Sequence, residues 1–382
     1  MRTNRPFRLM LEGVLVLIAA GAFLGCSLDG AWDTIARQLD ENQNPSDPWV
    51  DPSWTRRMRL EFSQAQVSEN LVDFPLLVVL DSTRVDYGTF TNLDALRFYD
   101  AGASPGELYY EIEKWDPAGK SYIWVKVPQI DANSGSDNIW MYWDNASAGP
   151  TVYRNAAQVW ADYELVYHLG ETGTSFTDSS GNGHTGTAVV AATPEQAMIG
   201  GGFRSDSAPV NWINSGWTLT APNYNNYTVE VWVKGDSAPI VTSYTNGPLM
   251  AHYPFSLGWD HTSATYAGKL QYNDGGWSAV DLGALLGGQW YYLAVTAASA
   301  VLEISTYRNG MLTVVDSANY DGTFGNPTYT LRIGDDNVLT HPMDGLIDEA
   351  RVSTTVHSAA WIQAQYLSMT DAFVDYRPAE QL

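Results

Sequence analysis

The sequence predicts an all-β protein built from two β-sandwich domains. Three observations predict it. The chain is rich in aromatic residues, with 15 Trp and 22 Tyr, and has 33 Gly and only 16% charged residues. Apolar and polar residues alternate over many short segments, and clusters of Gly, Pro, Asn and Asp separate these segments. Its 382 residues are enough for two ordinary domains plus an extension.

The chain starts with a basic stretch, Arg2, Arg5 and Arg8, followed by an apolar run from Val14 to Leu24. That run falls short of the roughly 20 apolar residues needed to span a bilayer and matches the core of a secretory signal. It ends in Phe23-Leu24-Gly25-Cys26, which resembles the bacterial lipobox, where the chain is cut before a cysteine whose thiol is lipidated. Residues 1–25 therefore read as a lipoprotein signal peptide and Cys26 as the lipidation site. Ser27 follows instead of an aspartate. By resemblance to the Gram-negative sorting rule, this directs the protein to the outer membrane or cell surface. Cys26 is the only cysteine, so no intramolecular disulfide is available. Residues 26–53 read as a tether, because Pro45, Pro48 and Pro52 keep the segment extended.

Residues 54–146 form the first sandwich. Met58, Leu60 and Phe62 alternate with Arg57, Arg59 and Glu61, which places the charged set outward. Pro75–Leu80 reads as a buried strand, and Ala95–Tyr99, Leu108–Lys114, Tyr122–Val127 and Asn138–Trp143 follow. Five segments occur in order: Phe74-Pro75-Leu76, Leu96–Asp100, Tyr110–Trp115, Trp124–Pro128 and Met141–Asn145. Together they resemble a bacterial extracytoplasmic domain family of unknown function. The resemblance implies a fold and brings no chemistry.

Residues 160–370 form the second domain. Its clearest strands are Glu164–Leu169, Tyr227–Lys234, Leu249–Tyr253, Lys269–Asn273, Trp290–Thr296, Leu302–Tyr307, Met311–Asp316 and Tyr329–Gly334. Asn309-Gly310 predicts a type I′ hairpin turn, whose two central residues need positive φ. Ser358 predicts the N-cap of a helix over Ala359–Ser368. Val166–Leu169, the Gly-rich loop Asp178–Gly186, Tyr227–Val233, Trp290–Val295, Tyr307–Gly310 and Asp344–Val352 resemble the concanavalin A-like lectin and glucanase superfamily, in its laminin-G-like bacterial branch. The resemblance implies a jelly-roll, and that fold hosts lectins, adhesion modules and hydrolases alike.

The formal charge of −23 repels nucleic acid and anionic lipid, so contact with the membrane is expected through the lipid anchor alone. The histidines His168, His184, His252, His261, His341 and His357 lack zinc-ligand spacing. There is no P-loop, dinucleotide fingerprint or nucleophile elbow. Retaining glycoside hydrolysis needs two carboxyl groups roughly 5 Å apart. Asp348 and Glu349 are adjacent and are expected on opposite faces of a strand. Glu111 and Glu113 share a face, which strand alternation assigns to solvent. No catalytic residue is therefore assigned.

Two kinds of binding site are expected. Asp178 and Asn182 in the Gly-rich loop, with Asp344 and Asp348 on the closing strand, offer the oxygen ligands of a structural Ca2+. The resemblance implies that these two regions lie close together. Trp259, Tyr272 and Trp277, near strand ends, offer flat rings for a sugar face; Trp212, Trp217, Tyr224, Tyr227 and Tyr253 are further aromatic candidates, while Trp232 and Trp290 are expected in the core. The combined expectation is a lipid-anchored cell-envelope protein that binds a glycan or a surface protein without catalysis. The alternatives are an adhesion scaffold without small ligand and, third, a glycoside hydrolase.

Overall fold

The computed structural model describes residues 48–62, 67–100, 106–134, 137–206, 209–218, 226–236, 247–252, 255–260, 267–273, 277–316, 330–335 and 343–382, with backbone alone in the strands between 247 and 284 and at 316. Cys26 and most of the expected tether lie outside these residues. Ser53–Leu382 forms one compact unit, distinct from Met1–Pro52. Among the described residues no helix is long and apolar enough to cross a membrane.

Among the described residues the dominant structure is antiparallel sheet, as the alternation predicts. In the first sandwich, Arg56–Phe62 pairs with Asn138–Trp143, which pairs in turn with Arg97–Asp100. The other edge of Arg56–Phe62 is taken by the chain's far end, Val374–Tyr376 and Glu380–Gln381. This explains a departure from the expected pattern. Arg57, expected outward, is buried, with Nε 2.7 Å from Glu380 and its guanidinium 4.0 Å from the centre of the Trp140 ring. The opposing sheet has three strands, in the order Leu71–Leu80, Ser121–Ile130, Tyr110–Lys114. Met58, Leu60 and Phe62 meet Phe74, Leu76 and Val78 in the core between the sheets.

Leu71–Leu80 is an edge strand, and exposed strand edges invite unwanted pairing. Here the C-terminal region covers the edge. The Leu77 N–H donates to Ser368 Oγ (2.8 Å), the Val79 N–H donates to the Tyr376 hydroxyl (2.8 Å), and Gln365 Nε2 donates to the Pro75 carbonyl (3.0 Å). Pro75, which has no N–H to lose, fits this edge. Ser368 and Gln365 belong to the helix Ala359–Met369, capped by Ser358, whose Oγ accepts from the Trp361 N–H at 3.1 Å. The expected cap is therefore formed.

Among the described residues, the second sandwich packs two sheets of eight strands each. Gly345–Ser353 runs through the inner sheet, with Asn226–Gly235 on one side. On the other side Gly201–Ser205 takes the first part of its length and Tyr163–Tyr167 the last. Tyr291–Ala298, Glu303–Arg308 and Met311–Asp316 extend this sheet. Asn309 (φ 52°) and Gly310 (φ 76°) make the expected hairpin turn. Every residue of Gly345–Ser353 is buried, and so is most of Asn226–Gly235. Alternation with one wet face would not produce this. The inner sheet is covered on both sides. Val229, Val231, Val233 and Ile347 enter the jelly-roll core, whereas Trp232, Tyr292 and Val166 join the core of the first sandwich with Trp361 and Met369. The two sandwiches share that sheet as a common wall. Trp232 is core as expected; Trp290 is only half-buried at its margin.

His357 sits in this shared core, its ring 4.4 Å from that of Trp361 and its Nδ1 without a partner among the described residues. Burial depresses its pKa to about 3. The unfolded chain therefore binds this proton from about pH 6.5 downward while the folded chain does not, so stability present above about pH 6.5 is lost as pH falls towards 3. In urea titrations between pH 7 and pH 5, the stability difference between wild type and His357→Phe is expected to shift by about 1 kcal/mol per pH unit, wild type losing more. Parallel pH dependences would contradict this assignment.

Candidate functional site

The common wall carries a group of charged residues. Tyr110–Lys114 is the edge of the three-stranded sheet nearest the jelly-roll, and Glu111 and Glu113 project from one face of it, as the spacing predicts. They do not face solvent: their side chains are 14% and 7% exposed. The expected wet face is instead packed against the second sandwich, which the pattern of one strand cannot reveal.

His168 and Glu349 come from the other side. Leu165, Tyr167 and Leu169 point into the jelly-roll core, so Val166 and His168 point towards the first sandwich. Glu349 has φ 51° and sits where Val231 opposes the pair Glu349-Ala350, a β-bulge. The extra residue resets the alternation. Ile347, Ala350 and Val352 enter one core, whereas Asp348, Glu349 and Arg351 lie on the opposite side. Asp348 and Glu349 were expected on opposite faces; the bulge places them on the same one.

His168 is the hub. Its Nδ1 lies 2.8 Å from Glu349 Oε1 and 3.6 Å from Glu113 Oε2, and its Nε2 lies 3.2 Å from Glu111 Oε2. Glu111 also accepts from Trp160 Nε1 (2.6 Å) and Ser179 Oγ (2.8 Å). Glu113 accepts from Trp124 Nε1 at 2.8 Å. Arg351 grips Glu349 Oε2 through Nε (3.1 Å) and a second nitrogen, and its guanidinium lies 4.3 Å and 4.6 Å from the centres of the Trp124 and Trp160 rings. Deeper in the wall, Glu230 accepts from Tyr292 (2.7 Å) and Tyr163 (3.2 Å).

The electrostatics follow from burial and pairing. Burial would lower the His168 pKa, but the charges of Glu349, Glu111 and Glu113 raise it well above the usual value. Burial opposes ionisation of Glu349, yet His168 and Arg351 outweigh it and hold this carboxyl at about 2. Glu111 is likewise lowered against its burial, by His168 and the hydrogen bonds it accepts. Burial and the neighbouring Glu349 push Glu113 up to about 8. Burial, Glu349 and Glu113 keep Asp348 well above the carboxylate range. Two carboxyl groups held low, Glu111 and Glu349, thus face His168, held high, and Arg351, while Glu113 and Asp348 are pushed towards their neutral forms. A buried group balanced in this way avoids the large cost of uncompensated charge.

A half-open cleft of about 970 Å³ leads from the surface to this group. Lys114, Lys120 and Tyr122 line it from the first sandwich, Glu171, Thr177 and Gln196 from the second, with Glu111, Glu113, His168 and Ser179 among its walls. Gly200 lets the chain pass close to Glu113: it has φ 59°, and a Cβ there would stand 2.7 Å from Glu113 Oε1.

Among the described residues, Asp178, Asp344 and Asp348 do not form a group of three carboxylate ligands within 4.8 Å of one another. Asp178 Oδ1 accepts from the N–H groups of Val166 and Ser180 (3.0 Å each) and from Ser180 Oγ (2.7 Å), and Oδ2 accepts from the His184 N–H at 3.0 Å. Asn182 donates to the carbonyls of Tyr163 and Glu164, both at 3.1 Å. Both residues fold the Gly-rich loop onto the opening strand, which positions Ser179 for Glu111. Asp348 Oδ2 accepts from the Ile199 N–H at 2.8 Å, and Asp344 lies beside Asp236 at the start of the closing strand. Among the described residues, donor atoms of three metal-ligating side chains converge within 4.8 Å at one place, Glu113, His168 and Glu349. Sequence spacing gave no hint of it, since 181 residues separate His168 from Glu349.

The expected sugar-binding aromatics lie on the outer jelly-roll sheet. Tyr272 pairs with Ser278 and Asn273 with Trp277, so Tyr272 and Trp277 share one end of their hairpin. Trp259 pairs with Gly268, at the other end of the same strands. The backbone therefore brings two of the three together. Trp217 and Tyr227 are core residues.

Residues 212–363 match the family model of the concanavalin A-like lectin/glucanases superfamily, and residues 92–181 match that of a domain of unknown function (DUF2341). Both resemblances drawn from the sequence are thereby met. The second match includes Glu111, Glu113 and His168. No curated protein matches the chain. Among solved structures, the chain is similar to domain 4 of AbnA, a GH43 extracellular arabinanase from Geobacillus stearothermophilus in complex with arabinotriose, at 20% identity and TM-score 0.40, over 53% of this chain and 97% of that one. It is also similar to the binding domain of botulinum neurotoxin DC in complex with rat synaptotagmin II, at 12% identity and TM-score 0.41, over 55% of this chain and 52% of that one. A SAP-like pentraxin from Limulus polyphemus aligns at 15% identity and TM-score 0.31, over 37% and 70%.

Removing one partner of a buried ion pair leaves its charge uncompensated. Arg351→Met is expected to cost about 3–5 kcal/mol in urea unfolding, with much of the loss recovered when Glu349→Gln is combined with it. Additive losses would show that the two side chains are not coupled.

Proposed function

We propose that the protein is a non-enzymatic binding module of the bacterial cell envelope, held by lipid on Cys26, and that its ligand is a glycan seated in the cleft between the two sandwiches. The observation that carries this reading is the cleft itself. It is open, of ligand size, and lies at a junction, where small-molecule sites commonly form. Its walls supply charged and hydroxyl groups from both sandwiches, and Tyr122 offers an aromatic face. That combination suits a polyhydroxylated ligand better than an apolar one. The concanavalin A-like fold supports a binding role without selecting the ligand.

A non-enzymatic role is supported by the engagement of the cleft's two buried glutamates. Glu111 is bound by Trp160, Ser179 and His168, and Glu113 by Trp124. A pair so engaged holds the fold together and is poorly placed to flank a glycosidic bond. The anchor is supported by the short apolar run and the Phe23–Cys26 segment; outer-membrane placement is supported by Ser27.

One preparation tests both parts. The Cys26→Ser chain is expected in the soluble extracytoplasmic fraction, folded, and binding on a glycan array. Tyr122→Ala and Lys120→Ala in that background are expected to weaken binding about tenfold each, roughly 1.4 kcal/mol, with Trp277→Ala unchanged. Retention of the Cys26→Ser chain in the membrane fraction would contradict the anchor. Loss of binding in Trp277→Ala alone would move the ligand to the outer sheet.

A further inference from the structure

We propose that Glu113, His168 and Glu349 form a binding site for one divalent first-row transition-metal ion of the zinc class, which staples the first sandwich to the second. Glu113 belongs to the first sandwich and the other two to the jelly-roll, so an ion held by all three bridges the common wall. Their donor atoms lie within 4.8 Å of one another. His168 Nδ1 stands between the two carboxylates, 2.8 Å from Glu349 Oε1 and 3.6 Å from Glu113 Oε2. An ion bound at about 2.0–2.2 Å to each donor would hold them roughly 3–3.5 Å apart, so the side chains need move little.

The surroundings are those of a metal-binding histidine. Such a residue almost always donates its other ring N–H to a carboxylate or carbonyl, which fixes the ring. Here Nε2 faces Glu111, and Glu111 is itself fixed by Trp160 and Ser179. Arg351 holds Glu349 by Oε2 and leaves Oε1 turned to the imidazole. A separate observation points the same way. Asp348, fully buried on the same side of the bulge, has Oδ1 without a hydrogen-bond partner among the described residues. A buried oxygen left without a partner is costly, and Asp348 feels the charges of Glu349, Glu113 and His168, the three residues of the proposed site. One nitrogen donor with carboxylate oxygens favours zinc, cobalt or manganese over calcium, which takes oxygen ligands alone. Glu113 and His168 line the cleft, which gives the ion its path in. Binding displaces protons from the imidazole and carboxyl groups to solvent. The glycan reading neither requires this site nor depends on it.

The test uses the purified full-length chain, stripped with EDTA and titrated with Co2+ or Zn2+ alone, with circular dichroism reporting the fold. One equivalent should bind per chain. Co2+ should give visible absorption that Zn2+ abolishes, and either ion should raise the thermal midpoint. His168→Gln and Glu113→Gln should each weaken binding at least tenfold; the second keeps an oxygen for the Trp124 N–H and so serves where loss of the imidazole unfolds the chain. Glu111→Gln, a positioning change, should weaken binding by roughly tenfold to a hundredfold while stoichiometry is kept. Absence of saturable binding by the folded wild type, or binding unchanged in both His168→Gln and Glu113→Gln, would overturn the proposal. Glycan binding measured on the same stripped and loaded samples is read separately.

Discussion

Charged side chains at the wall between the two sandwiches must be buried without being left unpaired, and this constraint organises the molecule. Moving a carboxylate out of water costs several kcal/mol, and only close, well-oriented partners repay it. The wall buries Glu111, Glu113, Asp348 and Glu349 around His168 and Arg351. Arg351 lies against two indoles whose N–H groups serve the two glutamates of the first sandwich, Trp124 to Glu113 and Trp160 to Glu111. The imidazole then links those glutamates to the jelly-roll. Glu111 and Glu113 come from Tyr110–Lys114 in the first sandwich, and His168, Asp348, Glu349 and Arg351 from the second, so the group forms only when both sandwiches are folded and joined. A fully satisfied buried polar network rigidifies and specifies a register that apolar packing alone would leave free to slide.

Much of the fold was legible in the sequence because alternation and turn chemistry are local. Asn138–Trp143 and Met311–Asp316 have the expected bounds, Asn309-Gly310 turns as it must, and Ser358 caps its helix. What was not legible is non-local. Arg57 looks outward until strands from residues 374–381 cover it. Glu111 and Glu113 look wet until the second sandwich arrives. Glu349 breaks the parity of its strand through a positive φ that nothing in Asp348-Glu349-Ala350 announces, since no glycine stands there. The Gly-rich loop was expected to hold an ion. In the structure Asp178 accepts from three backbone amides, an ordinary use of aspartate in turns.

The same arrangement relates site to scaffold. The cleft opens where the edge strand Tyr110–Lys114 approaches the loops of the jelly-roll, so its walls move together only if the wall beneath is rigid. A ligand touching Tyr122 and Thr177 would read both sandwiches at once. On the proposed reading, the first sandwich would contribute Lys114, Lys120 and Tyr122 to the binding surface.

The central claim is that the two sandwiches are one cooperative structure across the common wall. Differential scanning calorimetry of the metal-free chain tests it most directly. A single transition whose calorimetric and van't Hoff enthalpies agree is the predicted result. Two separable transitions, one for each sandwich, would contradict it.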